Sequence, residues 1–127
     1  MREGLSILVV DDEPANRLLF ETVLSQAGHL VTTADCGRAA VDAAARAPFD
    51  LVLMDLGLPD FNGFEATRRL RAQAPSALVF ALTADDDPKL RREGARAGMG
   101  AYLTKPISPQ DLLEAVGRAK ARSIQDA

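Results

Sequence analysis

Four short apolar segments of this chain each end at polar side chains that could bind a ligand or take part in catalysis. Two of the segment ends carry carboxylates, one carries a hydroxyl and one carries an amine; the residues are Asp11 with Asp12, Asp55, Thr83 and Lys105. The apolar segments themselves are 7–10, 51–54, 78–82 and 101–103. Parallel strands bring their carboxyl ends to one edge of a sheet, and open α/β sheets bind ligands there. We therefore expect these side chains to converge.

The predicted cluster combines groups that suit a divalent cation and a phosphoryl group. Three unshielded carboxylates would repel one another and raise at least one pKa, unless a cation lay among them. Oxygen ligands that leave room for water are typical of Mg²⁺. The amine of Lys105 can pair with a phosphoryl group as a point charge, and the hydroxyl of Thr83 can donate a hydrogen bond to it. One aspartate could then act as the nucleophile and form an acyl phosphate, with catalysis by positioning and charge neutralisation.

The pattern of apolar segments also predicts the fold that would position this cluster. A short β-branched segment, 30–33, completes a set of five strands that alternate with five helices. The strands are continuous apolar runs, which indicates a parallel sheet covered on both faces. Right-handed crossovers leave few topologies, and the flavodoxin-like order 2-1-3-4-5 is the natural choice. We predict a single doubly wound α/β domain, (βα)5, over residues 1–127, with its core at about residues 5–120.

Capping signals mark several of the predicted helix ends. Asp35 is placed to cap the second helix. Asp87 and Pro88 follow one another as an N-cap and a first helical residue, and so open the fourth helix. Ser108 and Asp111 form a capping box at the start of the last helix.

Composition narrows the class of protein. The chain has 127 residues, of which 47% are hydrophobic, enough for one domain with one sizeable core. The net charge of -3 gives no electrostatic support for nucleic-acid binding. The single cysteine, Cys36, excludes an internal disulfide and fits a reducing compartment. No apolar run approaches the ~20 residues of a membrane span, and the first residues show no signal-peptide pattern. We expect a soluble, cytoplasmic domain that binds neither nucleic acid nor membrane.

The chain resembles the receiver domain of two-component response regulators. The resemblance rests on the acidic pair, the later aspartate, the threonine and the Lys105-Pro106 dipeptide, in this order and at these strand ends. The resemblance covers about residues 5–120. It implies that Asp55 is phosphorylated by a histidine kinase or a histidine phosphotransfer protein in a Mg²⁺-dependent reaction. It further implies a regulatory phosphoacceptor domain, not an enzyme with its own substrate. Such a domain catalyses only its own phosphoryl transfer and dephosphorylation.

The resemblance implies a role in metal binding for each carboxylate. The direct Mg²⁺ ligands would be the carboxylates of Asp12 and Asp55 and the main-chain carbonyl of Gly57, while Asp11 would act through water. Gly57 is a departure from the pattern, because many receivers carry a larger residue there, over the phosphoryl group. The lifetime of the phosphorylated state is therefore a separate question for this chain.

The resemblance also implies how phosphorylation would be read. Lys105 and Thr83 would bind the phosphoryl group, and the peptide bond from Lys105 to Pro106 would be cis. Tyr102 matches the switch aromatic of the family, which turns inward when the threonine moves to the phosphate. The face formed by the fourth helix, the fifth strand and the fifth helix would then change and be recognised by partners.

A finer resemblance is to receivers that are attached to, or work with, hybrid histidine kinases. It rests on three segments, 65–68, 81–84 and 98–107. Receivers of that type often pass phosphate onward to a histidine phosphotransfer protein. The implied partners are therefore a histidine kinase, a histidine phosphotransfer protein or both. A homodimer would use the same face of the fourth helix, fifth strand and fifth helix.

Other functions share only part of this pattern. A degenerate receiver that merely docks partners would not need the whole set, which is intact here. A haloacid-dehalogenase-like phosphatase carries its nucleophile after the first strand as Asp-x-Asp, whereas this strand is followed by Asp11-Asp12-Glu13. A P-loop GTPase is excluded because the chain has no Gly-x-x-x-x-Gly-Lys segment. Taken singly, the acidic run would indicate only the start of a helix, Thr83 only the end of a strand, and Lys105 only a solvated cation. It is their combination that favours a receiver domain.

Overall fold

The computed structural model of the chain describes residues 4–85 and 87–126, with side chains described through residue 121. Within these residues the strands form one parallel sheet of order β2-β1-β3-β4-β5, which confirms the predicted topology. The strands are β1 (Ser6–Val10), β2 (Leu30–Ala34), β3 (Leu51–Asp55), β4 (Leu78–Thr83) and β5 (Ala101–Thr104). The helices are α1 (Pro14–Gln26), α2 (Gly37–Arg46), α3 (Gly63–Gln73), α4 (Pro88–Ala97) and α5 (Pro109–Asp126). Among residues 4–85 and 87–126, no helix combines the length and the hydrophobicity that a membrane span requires.

The central strands are buried on both faces, as their continuous apolar runs predict. Every residue of β1 and β3 is buried. Successive side chains of a strand point to opposite faces, so Leu8 and Val10 enter one core beneath α2, α3 and α4, while Ile7 and Val9 enter another beneath α1 and α5. Each fully buried side chain of this size contributes about 1.5–3 kcal/mol. The sheet therefore forms a rigid platform between two helical layers.

The register of the sheet brings the predicted site residues to one edge. Val10 lies opposite Met54 across the β1–β3 pair, so Asp11 and Asp55 are the next residues of their two strands. Asp55 lies in turn opposite Leu82, one residue before the end of β4. Side chains that are far apart in the sequence thus leave the sheet side by side.

Several predicted helix ends are confirmed. Asp87 is the N-cap of α4, and its Oδ1 accepts a hydrogen bond from the main-chain amide of Lys89 at 2.9 Å. Gly98 ends this helix in the left-handed region, with φ of 100°. The hydroxyl of Ser108 accepts from the amide of Asp111 at 3.0 Å, which is the predicted cap of α5.

The predicted cap of α2 is wrong by one residue. Cys36, not Asp35, occupies the N-cap position, and its Sγ accepts from the amide of Ala39 at 3.4 Å. An N-cap side chain must reach the second or third amide of the helix. Position 36 has that reach, whereas Asp35 lies exposed in the bend before it.

A carboxylate from a distant loop supplies the other acceptors at the start of α2. The two oxygens of Asp60 accept from the amides of Gly37 and Arg38, at 2.9 and 2.8 Å, and the amide of Phe61 adds a third bond at 2.9 Å. Asp60 is exposed, and the slight desolvation of its carboxylate opposes ionisation. The amide bonds outweigh this effect and lower the pKa of Asp60 to about 2. The loop that follows Asp55 is therefore fastened to α2.

Candidate functional site

The three predicted carboxylates, Thr83 and Lys105 lie at the carboxyl edge of the sheet, and main-chain bonds hold the ends of these strands in place. Beyond the regular strand pairing, the amide of Asp11 donates to the carbonyl of Ala34 at 3.1 Å. On the other side of the sheet, the amide of Lys105 donates to the carbonyl of Thr83 at 2.7 Å. The site is thus built on strand ends held by the core of the protein.

Three carboxylates form the centre of the site. Asp11 is fully buried, Asp55 is 6% exposed and Asp12 is exposed. One oxygen from each lies within 4.8 Å of the others. Their only described ammonium partner at this spot belongs to Lys105, so negative charge is in excess within this part of the chain. Hard oxygen donors with excess negative charge fit a divalent cation such as Mg²⁺.

Lys105 bridges two of these carboxylates. Its Nζ lies 2.9 Å from Oδ2 of Asp11 and 3.1 Å from Oδ2 of Asp55. Burial opposes the charged form, but the bond to Asp11 and the charge of Asp55 outweigh it and raise the pKa of Lys105. The peptide bond from Lys105 to Pro106 is cis, as the resemblance implied.

Asp55 combines burial with two donors. Burial raises the pKa of its carboxyl, although the amide of Gly57 and the charge of Lys105 act in the opposite direction. The amide of Gly57 donates to Oδ1 at 3.0 Å, and Lys105 occupies Oδ2. Gly57 itself is exposed, and a Cβ added there would lie 3.9 Å from Oδ1 of Asp55, an ordinary contact distance. A side chain at position 57 would therefore border the carboxylate without a clash.

Thr83 lies at the same edge, but its hydroxyl is engaged elsewhere. The side chain is buried, and its Oγ1 donates to the carbonyl of Asp85 at 3.1 Å while accepting from the amide of the same residue. A group on Asp55 would gain the hydroxyl as a donor only if the bond to the Asp85 carbonyl broke.

Tyr102 is seated on α4 and not at the carboxylates. Its hydroxyl lies 2.8 Å from the carbonyl oxygen of Leu90 and 2.9 Å from that of Arg91, to which it donates. The hydroxyl occupies the space that a side chain at position 94 would fill. Tyr102 can therefore contact α4 in this way only because residue 94 is glycine. Burial raises the pKa of Tyr102, against the charge of Arg91. The side chain of Tyr102 therefore links β5 to the first half of α4.

Two residues at this site were not foreseen from the sequence. Asn16 donates from Nδ2 to Oδ2 of Asp11 at 3.3 Å, and the guanidinium of Arg17 donates to the main-chain carbonyl of Asp11 at 2.7 Å. The signal that could have found Asn16 is its place in the third position of α1, from which side chains reach back across the helix start.

Comparison with known proteins gives one consistent result. The response regulator receiver domain profile matches residues 7–117. The sensor protein GacS of Pseudomonas syringae pv. syringae is 42% identical over 115 residues, which cover 87% of this chain. The chain spans only 13% of GacS and 9% of the sensor protein EvgS of Escherichia coli (strain K12).

Solved structures agree with the sequence relatives. The receiver domain of the sensor histidine kinase PA1611 from Pseudomonas aeruginosa PAO1, which has a magnesium ion coordinated in its active site cleft, is 38% identical. It superposes with a TM-score of 0.82 over 91% of this chain and 96% of its own. The chemotaxis protein CheY4 of Vibrio cholerae is 32% identical, with a TM-score of 0.88 over 91% of this chain and 98% of that one.

Proposed function

Because this chain belongs to the response regulator receiver domain family, we propose that it is the phosphoacceptor receiver of a two-component or phosphorelay system and that Asp55 accepts the phosphoryl group. The family is regulatory. The donor is a histidine kinase or a histidine phosphotransfer protein, and the chain acts as one receiver domain in the cytoplasm. Its single cysteine fits a cytoplasmic location.

One observation carries this proposal. Asp55 is a nearly buried carboxylate that ends a central strand, lies within 4.8 Å of two other carboxylates and pairs with Lys105. A docking domain without chemistry has no need to hold three carboxylates together against their repulsion. The magnesium ion in the PA1611 receiver supports the same reading of this cluster.

The residues present fit a Mg²⁺ ion. Asp12 and Asp55 would hold it directly with the main-chain carbonyl of Gly57, and Asp11 would act through water. When bound, the ion would neutralise the carboxylates and the charge on the transferring phosphoryl oxygens.

The side chains of this chain supply the rest of the reaction. An oxygen of Asp55 attacks the phosphorus of a phosphohistidine in line with the bond that breaks. The new O–P bond forms as the P–N bond opens, and the electron pair leaves with the histidine nitrogen. Lys105 pairs with the incoming phosphoryl group, and Thr83 exchanges its bond to Asp85 for one to a phosphoryl oxygen. Hydrolysis of the acyl phosphate then requires a water molecule in line with the O–P bond that breaks, opposite the Asp55 oxygen.

The change at Thr83 leads to a partner surface through Tyr102. The hydroxyl of Tyr102 bonds to carbonyls in the first half of α4, and α4 itself buries little beyond Gly94 and Ala97. A helix with so few buried residues can shift at small cost. The face of α4, β5 and α5 is thus the surface on which partners, including a second copy of the chain, would sense phosphorylation.

Amide hydrogen exchange should locate this response. We expect acetyl phosphate with Mg²⁺ to change protection mainly in α4 and β5, because Tyr102 joins them and α4 is weakly packed. The control is the Asp55→Asn variant under the same conditions, in which these amides should not respond. A response confined to residues 37–47 would contradict the proposed surface.

The side chain at position 57 should set the lifetime of the phosphorylated state. Gly57→Met is expected to slow the loss of phosphate severalfold, since a bulky side chain there would border the phosphoryl group and hinder water. Mg²⁺ affinity should be nearly unchanged, because the proposed ligand is a main-chain carbonyl. Loss of phosphate from purified protein is measured beside a Mg²⁺ titration.

A matched control for this experiment is Gly117→Met, which adds the same side chain where nothing lies within 4 Å of the new Cβ and far along the chain from the site. Equal or faster loss of phosphate in Gly57→Met, at equal Mg²⁺ affinity, would show that access past residue 57 does not limit hydrolysis.

A further inference from the structure

Asp11 is the most enclosed carboxylate of the site, and three residues at the start of α1 donate hydrogen bonds to it. Its Oδ1 accepts from the amide of Glu13 at 2.9 Å. Its Oδ2 lies 2.9 Å from Nζ of Lys105 and accepts from Nδ2 of Asn16 at 3.3 Å. The guanidinium of Arg17 donates to the main-chain carbonyl of Asp11 at 2.7 Å. The carboxylate has no exposed surface through which bulk water could replace a lost donor.

The geometry points to Asn16 as a positioning residue for Mg²⁺ binding, which acts by fixing the orientation of Asp11. This inference rests on the proposed function. Oδ1 of Asp11 is committed to a main-chain amide, so Oδ2 is the oxygen whose partners can change. Among the described side chains its donors are Lys105 and Asn16. Lys105 must turn toward the phosphoryl group during transfer.

Asn16 is therefore the donor that stays when Lys105 leaves. A buried carboxylate left with too few donors is unfavourable, so without Asn16 the carboxylate of Asp11 would either keep Lys105 or rotate to find another partner. Either outcome disturbs the direction in which Asp11 accepts a bond from metal-bound water. The amide of Asn16 cannot take a charge, so it holds the carboxylate without competing for the ion.

The expected size of the effect follows from other metal sites. Removal of a group that orients a metal-binding side chain typically weakens metal affinity about 10–100-fold. The bond from Asn16 is long, at 3.3 Å, so we expect the lower end, about tenfold.

A purely structural role for Asn16 predicts something different. Alanine is a better helix former than asparagine, and the N-cap residue of α1, Glu13, makes no side-chain cap bond that Asn16 would support. Asn16→Ala should consequently leave the helix intact. A positioning role therefore separates Mg²⁺ affinity from folding stability, whereas a structural role would lower both together.

The test compares the wild type, Asn16→Ala and Gln26→Ala by titration with Mg²⁺ alone and by urea unfolding in a chelator. Gln26 is the matched control, because it carries an amide on the last residue of the same helix and is exposed. We expect about tenfold weaker Mg²⁺ binding in Asn16→Ala only. In the chelator Lys105 still pairs with Oδ2 of Asp11, so the free energy of unfolding should stay close to that of the control.

Two results would overturn the inference: Mg²⁺ affinity of Asn16→Ala equal to that of the control, or weaker affinity with a matching loss of unfolding free energy. In both of these the wild type still binds Mg²⁺, so the proposed function stands. If the wild type itself bound no Mg²⁺, the proposed function would fail, and the role of Asn16 would fail with it.

Discussion

With asparagine in place of Asp55, we expect the chain to take up no phosphoryl group from acetyl phosphate and Mg²⁺, while the wild type gains the mass of one. The loss should be complete, because an amide oxygen is a far weaker nucleophile than a carboxylate and no acyl phosphate can form on it. The substitution keeps the shape of the side chain, so the strand end and the bond from the amide of Gly57 are preserved. Intact-mass spectrometry of the purified protein gives the answer directly.

The matched control is Asp35→Asn. Asp35 is an exposed carboxylate just after β2, at the same edge of the sheet, and it does not belong to the carboxylate cluster. This variant should gain the same mass as the wild type. A mass gain that persists in Asp55→Asn would show that another residue is the acceptor.

The second large effect concerns stability. Lys105→Met should lower the free energy of unfolding by about 2–3 kcal/mol in the presence of a chelator. Removal of one partner from a buried ion pair typically costs about 3–5 kcal/mol, because the other charge stays buried and unpaired. Here the lysine keeps 20% of its side-chain surface exposed, so we expect less than that range. Urea unfolding at neutral pH measures the difference.

Lys89→Met is the control for the lysine experiment, since Lys89 is exposed on α4. Its loss should change the free energy of unfolding by less than about 0.5 kcal/mol. If Lys105→Met were no less stable than Lys89→Met, the bridge to Asp11 and Asp55 would not be a stabilising part of the unphosphorylated fold.

The sequence alone predicted the parts of this structure that depend on local pattern. Strand β3 was recognisable because 51–54 is an uninterrupted apolar run, and Asp55 was recognisable because it ends that run. Parallel pairing then required Asp11 and Asp55 to meet. These deductions need only the periodicity of a strand and the geometry of a parallel sheet.

Features that depend on the three-dimensional structure could not be predicted from the sequence. The N-cap of α2 was placed one residue early, because a cap is defined by which side chain reaches an amide and not by residue type alone. Asp60 accepts a hydrogen bond from the amide of Gly37 at the start of the same helix, 23 positions away in the chain. A local sequence pattern cannot predict such a contact. The bond from Thr83 to Asp85 was likewise hidden, since a hydroxyl rotates to suit its neighbours.

The contact of Tyr102 with α4 has a practical consequence. The chain has one tyrosine and no tryptophan, so its near-ultraviolet absorbance and intrinsic fluorescence come chiefly from this phenol. The hydroxyl is hydrogen-bonded to carbonyls of α4, and the emission of a phenol depends on such bonds. The native protein thus carries an optical reporter, without any label, at the contact between β5 and α4.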